Sequence, residues 1–158
     1  MKKYFRVTLI AILGSIITSC SVNDPIVFDG QFVHIADESG SLSSVINWES
    51  SKYLATYYVT IVSAAVEADV EVEYKIEVGD GLTEGVDYKL IQTSHSGSVF
   101  FSSGIYRRPL RIEWLRNALD PTKDNTLTIR LVGSSQSEIE IGRPGPDSYG
   151  HIHNITKK

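Results

Sequence analysis

From residue 28 to the C-terminus, apolar and polar positions alternate in short runs separated by turn formers. The clearest run is 69–78, where Val70, Val72, Tyr74, Ile76 and Val78 share one side and Asp69, Glu71, Glu73, Lys75 and Glu77 the other. Successive side chains of a strand point to opposite faces, so this spacing gives one dry and one wet face. A helix would scatter those valines around its circumference. The same period predicts strands at 56–63 (Tyr57, Val59 and Ile61 on one side), at 108–114 (Leu110, Ile112 and Trp114 inward, Arg111 and Glu113 outward) and at 126–132. Shorter strands are predicted at 28–35, 87–92, 98–101, 138–141 and 151–156, and Trp114, Phe100 and Tyr74 fit core positions. The breaks hold Gly79-Asp80-Gly81, Glu84-Gly85, Gly97, Gly104 and Asp120-Pro121, residues that set turns. One helical turn or two is expected around 114–119, and the serine-rich stretch 37–52 is expected to be a long loop. Seven or eight short strands with regular turn signals, no repeat and no linker predict one all-β domain, an antiparallel β-sandwich over 28–158.

The first twenty residues follow another pattern. Lys2, Lys3 and Arg6 precede an apolar run from Val7 to Ile17, the layout of an export signal. That run is too short for a membrane span, which needs about 20 residues. It ends in Ile17-Thr18-Ser19-Cys20, with small residues before a cysteine whose thiol can accept a diacylglyceryl group. This resembles the lipobox of bacterial lipoproteins, which implies a cleaved signal at 1–19, a lipidated Cys20 and a short tether over 20–27. The expected location is the outer membrane, on its periplasmic face or at the cell surface, with the membrane as partner through the lipid. Cys20 is the only cysteine, so no internal disulfide can form and the domain rests on its core.

Loss of the signal changes the charge. The whole chain carries 15 basic and 19 acidic side chains; without Lys2, Lys3 and Arg6 it carries 12 against 19, a net −7 over 139 residues. An acidic chain without basic clusters does not suit nucleic acid, whose binding depends on neutralising phosphates. Nor does it suit electrostatic docking to anionic lipid.

Within 70–133, the alternating strand 70–78, the run Gly79-Asp80-Gly81-Leu82-Thr83-Glu84-Gly85-Val86-Asp87-Tyr88, Phe100-Phe101, Gly104 and the alternation at 110–112 and 127–131 resemble a Calx-β-type sandwich, an immunoglobulin-like fold. The mature chain, with its tail Ile141-Gly142-Arg143-Pro144-Gly145-Pro146-Asp147, also resembles small Bacteroidota lipoproteins of domain-of-unknown-function families. That likeness implies an accessory role beside glycan-uptake systems. Calx-β domains sometimes bind calcium, which takes six to eight oxygens. Here the loop acids Asp80, Glu84, Asp87, Asp120, Asp124 and Asp147 are scattered over several turns and read as a solvated surface.

No catalytic set emerges. There is no G-x-S-x-G elbow, S-x-x-K pair, P-loop or dinucleotide fingerprint, so no enzyme and no cofactor is predicted. His151 and His153, spaced i, i+2 on a predicted strand, lack the two further ligands of a structural metal site. The remaining candidates are Trp48 and Tyr53, in or beside the polar 37–52 stretch, because a sugar ring stacks on an exposed loop aromatic. The alternative for Trp48 is a cap over the end of the core. The functional expectation is a non-catalytic module that binds a glycan or an outer-membrane protein partner. The alternatives are a structural or adhesive sandwich without a small ligand, and a calcium-dependent module.

Overall fold

The computed structural model describes residues 30–47, 49, 52–63, 65–91, 97–145 and 147–158. The expected export signal, Cys20, the expected tether and Trp48 lie outside these residues. The alternating runs form strands β1 (Gln31–Asp37), β2 (Ser43–Ile46), β3 (Tyr53–Val62), β4 (Val70–Val78), β5 (Tyr88–Ile91), β6 (Ser98–Phe101), β7 (Arg107–Trp114), β8 (Thr126–Ser134), β9 (Ile139–Ile141) and β10 (Ile152–Lys157). They build two five-stranded sheets, one ordered β5-β7-β3-β1-β9 and the other β2-β10-β8-β4-β6.

The predicted dry faces meet between the sheets. Val33 and Ile35 of β1, Val59 of β3, Val70 and Val72 of β4, Phe101 of β6 and Ile129 of β8 are wholly buried. Full burial of each such side chain stabilises the fold by about 1.5–3 kcal/mol. Where β4 meets β8 the register skips Val132 between Glu73–Gly133 and Tyr74–Leu131, a bulge that adds local twist.

Five sequence expectations change. The described residues form ten strands rather than seven or eight. The sheets are mixed rather than antiparallel, because β9 runs parallel to β1 and β2 parallel to β10. Part of the expected loop is β2, whose partner lies over a hundred residues downstream, so no local hairpin signal marks it. No helical turn forms after β7: Trp114 is the last residue of that strand, and 115–120 run on without helix. Finally, Phe101 takes the core position of β6 while Phe100 is 40% exposed; a four-residue strand with two adjacent phenylalanines does not reveal its phase.

Candidate functional site

β1 ends in a tight turn. The Asp37 carboxylate accepts hydrogen bonds from Ser39 N–H at 2.9 Å, Ser39 Oγ at 2.7 Å and Ser41 N–H at 2.9 Å. Burial pushes this carboxyl up, but the three bonds outweigh it and hold it below its ordinary value. The turn places β2 alongside the start of β3, and a cleft of 390 Å³ opens between them. Asp37, Glu38, Ser44, Ile46, Tyr53 and Tyr57 are among its lining residues. Tyr53, one of the two aromatics singled out by sequence, stands at this cleft half exposed.

Tyr57, at the floor, belongs to a buried polar cluster that extends behind the cleft. Tyr57 is 1% exposed, and its ring lies 4.7 Å from that of His153, centroid to centroid. His153 Nε2 is 3.1 Å from Ser44 Oγ. Among the described residues the Tyr57 hydroxyl, Trp114 Nε1 and His153 Nδ1 have no hydrogen-bond partner. Ser44 and Trp114 approach the Tyr57 hydroxyl closely enough to favour its ionisation, although no well-formed hydrogen bond reaches it. Burial dominates, raising the tyrosine above its ordinary value and lowering His153 below its own. A buried polar atom without a partner costs about 1–3 kcal/mol, so the Tyr57 side chain, which lines the cleft, carries unused hydrogen-bonding capacity. Sequence alternation placed Tyr57 and Trp114 in the core, where their polar ends signal this floor only once the strands are paired.

A wider depression of 630 Å³ lies between residues 118–126 and the end of β10. Its buried unpartnered atom, Asn125 Oδ1, abuts Gly81 and is not presented to a guest. The cleft beside Tyr53 is therefore the better candidate.

The other sequence candidates disperse. His151 lies before β10 and its Nδ1 donates to the Ser148 carbonyl at 2.6 Å, while His153 faces the core. No three histidine or acidic side chains gather in metal-binding geometry among the described residues. Among the loop acids, Asp80 accepts from Asp124 N–H at 2.9 Å, and Asp120 and Asp124 each accept from a nearby threonine. Asp87 is not solvated as expected: it is buried against Lys157, with Nζ to Oδ1 at 2.9 Å. Phase gave a signal for that pair, because Lys157 follows His153 and Ile155 at the spacing of the buried face of β10.

Two mixed five-stranded sheets packed on one core define an all-β sandwich of Calx-β-like fold. The chain resembles the apo-form Calx CBD1 domain, with 17% identity over 80% of this chain and 96% of that one, at a TM-score of 0.50. It also resembles EndoBT-3987 of Bacteroides thetaiotamicron, solved with Man5GlcNAc product, with 13% identity and a TM-score of 0.53 over 78% of this chain. A third likeness is to a Bacteroides ovatus protein of unknown function, with 12% identity and a TM-score of 0.51 over 80% of this chain. The chain spans 31% and 46% of the length of those two Bacteroides proteins. At these identities the likeness is one of fold. No family model and no curated protein sequence matches the chain.

Proposed function

We propose that this chain is a lipid-anchored, non-catalytic β-sandwich of the outer membrane that binds a glycan in the cleft beside Tyr53. The observation that carries this reading is the pairing of a half-exposed aromatic with a floor whose buried Tyr57 hydroxyl has no partner among the described residues. A sugar offers a ring face for Tyr53 and hydroxyls for that floor. The anchor rests on the first twenty residues, where a basic start, an apolar run and a cysteine after Ser19 succeed one another. Likeness to part of a protein solved with a glycan product accords with this reading at the level of fold.

The test is a panel of neutral polysaccharides titrated against the protein, with and without calcium. The expected result is saturable, calcium-independent binding to one class. A protein partner is the second reading, favoured by Val45, which is 58% exposed on edge strand β2 beside the cleft. Silence across the panel moves the account to it.

A further inference from the structure

On the far side of the turn formed by residues 37–41, the outer face of the β5-β7-β3-β1-β9 sheet carries a second depression of 350 Å³. Strand register builds it: His34 lies opposite Thr60, and Thr60 opposite Arg107, so the three form one row across β1, β3 and β7. In the next row Tyr58 lies opposite Ala36, and the Arg107 guanidinium sits 3.6 Å from the Tyr58 ring centroid. That stacking fixes the guanidinium plane while leaving its N–H edge free to meet an oxyanion in a bidentate way. Arg143, beside Tyr149, adds a second positive charge near His34. Neither arginine belongs to the three ion pairs among the described residues, which join Lys52 to Glu113, Arg130 to Glu77 and Lys157 to Asp87.

His34 Nδ1 is buried without a hydrogen-bond partner. The opposite end of the depression is lined by Asp37, Glu38, Ser39 and Gly40; the Asp37 carboxylate is taken up by the Ser39 and Ser41 bonds, and Glu38 is left as a negatively charged acceptor. The lining is thus bipolar, cationic at Arg107 and hydroxyl-accepting at the turn. At 350 Å³ it is at the low end of small-molecule sites, about 300–1,000 Å³, and small for a protein partner. On an acidic chain, a stacked, unpaired arginine at one end of a hollow of this size is a local device rather than the general field of the surface.

We propose that this hollow is a second ligand site, separate from the cleft at Tyr53, and that it takes the carboxylate or sulfate of an acidic saccharide. The oxyanion pairs with Arg107 and His34, Tyr58 backs the guanidinium, and the sugar hydroxyls face Ser39 and Glu38.

The test uses the intact chain in detergent, with polygalacturonate as the carboxylate probe, heparin as the sulfate probe and dextran as the neutral one. The expected result is binding to one or both acidic polymers and none to dextran. Arg107→Ala should weaken it about tenfold or more, with Arg107→Lys intermediate because it keeps charge without the fork. His34→Gln provides a second variant at the same site. Tyr53→Ala and Lys75→Ala, in the cleft and on the opposite sheet, should leave acidic-polymer binding unchanged. Equal weakening by Lys75→Ala and Arg107→Ala would show diffuse attraction and overturn the site. Loss with Tyr53→Ala alone would assign the binding to the cleft, and failure of both acidic polymers to bind would remove the proposal while leaving the cleft reading intact.

Discussion

Lys157 Nζ donates to Asp87 Oδ1 at 2.9 Å, and both residues are buried, at 1% and 3% exposure. The contact ties the last strand to the turn before β5. Asn117 Nδ2 donates to the same oxygen at 3.0 Å and Thr83 N–H to the other at 2.9 Å, while Leu115 N–H reaches the Asp87 carbonyl. One carboxylate thereby fastens three segments far apart in sequence. Removing one partner leaves the other charge buried and alone, at a cost of about 3–5 kcal/mol. Lys157→Ala and Asp87→Ala should each lower the urea midpoint sharply. The double replacement Asp87→Ala with Lys157→Ala should lose less than the sum of the single losses, which a double-mutant cycle reads directly.

Acid should weaken the fold in two steps. Burial holds His153 below its ordinary 6.5, with the Asp37 charge opposing in part. Burial, Arg143 and Arg107 hold His34 below 6.5 as well. In that window the unfolded chain binds protons that the folded chain refuses, so stability falls as pH drops below 6.5 and levels off beneath the folded values. The second step belongs to carboxylates held low by their hydrogen bonds, Asp37 and the more deeply buried Asp87. Burial raises the Asp87 carboxyl, but the bonds from Lys157, Asn117 and Thr83 outweigh it, so its folded value lies below 3.8. Its stabilisation is present above 3.8 and lost as pH falls through that lower value. Urea midpoints measured across the acid range should show both steps. His153→Gln should flatten the first and leave the second; an unchanged first step contradicts this assignment.

Gly79 and Gly85 should respond to alanine for different reasons. A Cβ at Gly79 would overlap the Asp124 carbonyl, so backbone must move, at a cost of about 1–3 kcal/mol. Gly85 has open space around it but a φ of +83°, so alanine there meets only the left-handed penalty of about 1–2 kcal/mol. Thermal melts of the two variants check this. A backbone that relaxes freely at Gly79 would leave that variant's melt at the wild-type value and contradict the overlap.

How much of this was legible follows from where each partner lies. The run 70–78 announces its strand because alternation is a local property, and β4 runs over those residues. Ser43–Ile46 carries only Val45 and Ile46 as strand formers, and it becomes β2 by pairing with β10, a contact that no local pattern encodes. Phe100 was placed inward because two adjacent aromatics fit either phase. Tyr53 was found as an aromatic near a polar stretch, but the cleft needed β1, β2 and β3 brought together. The depression at Arg107 was missed because its row draws one residue from each of three strands.

The anchor carries its own prediction. Cys20 should incorporate labelled fatty acid and partition the chain into detergent, and Cys20→Ser should abolish both. Retention of label in the Cys20→Ser protein would place the modification elsewhere.

The most direct measurement is a calorimetric titration of the best-binding neutral glycan against wild type and Tyr53→Ala. The account predicts saturable binding that Tyr53→Ala weakens by about tenfold, or 1.4 kcal/mol, with an unchanged urea midpoint. Equal affinity in the two proteins would contradict the assignment of the cleft as the glycan site.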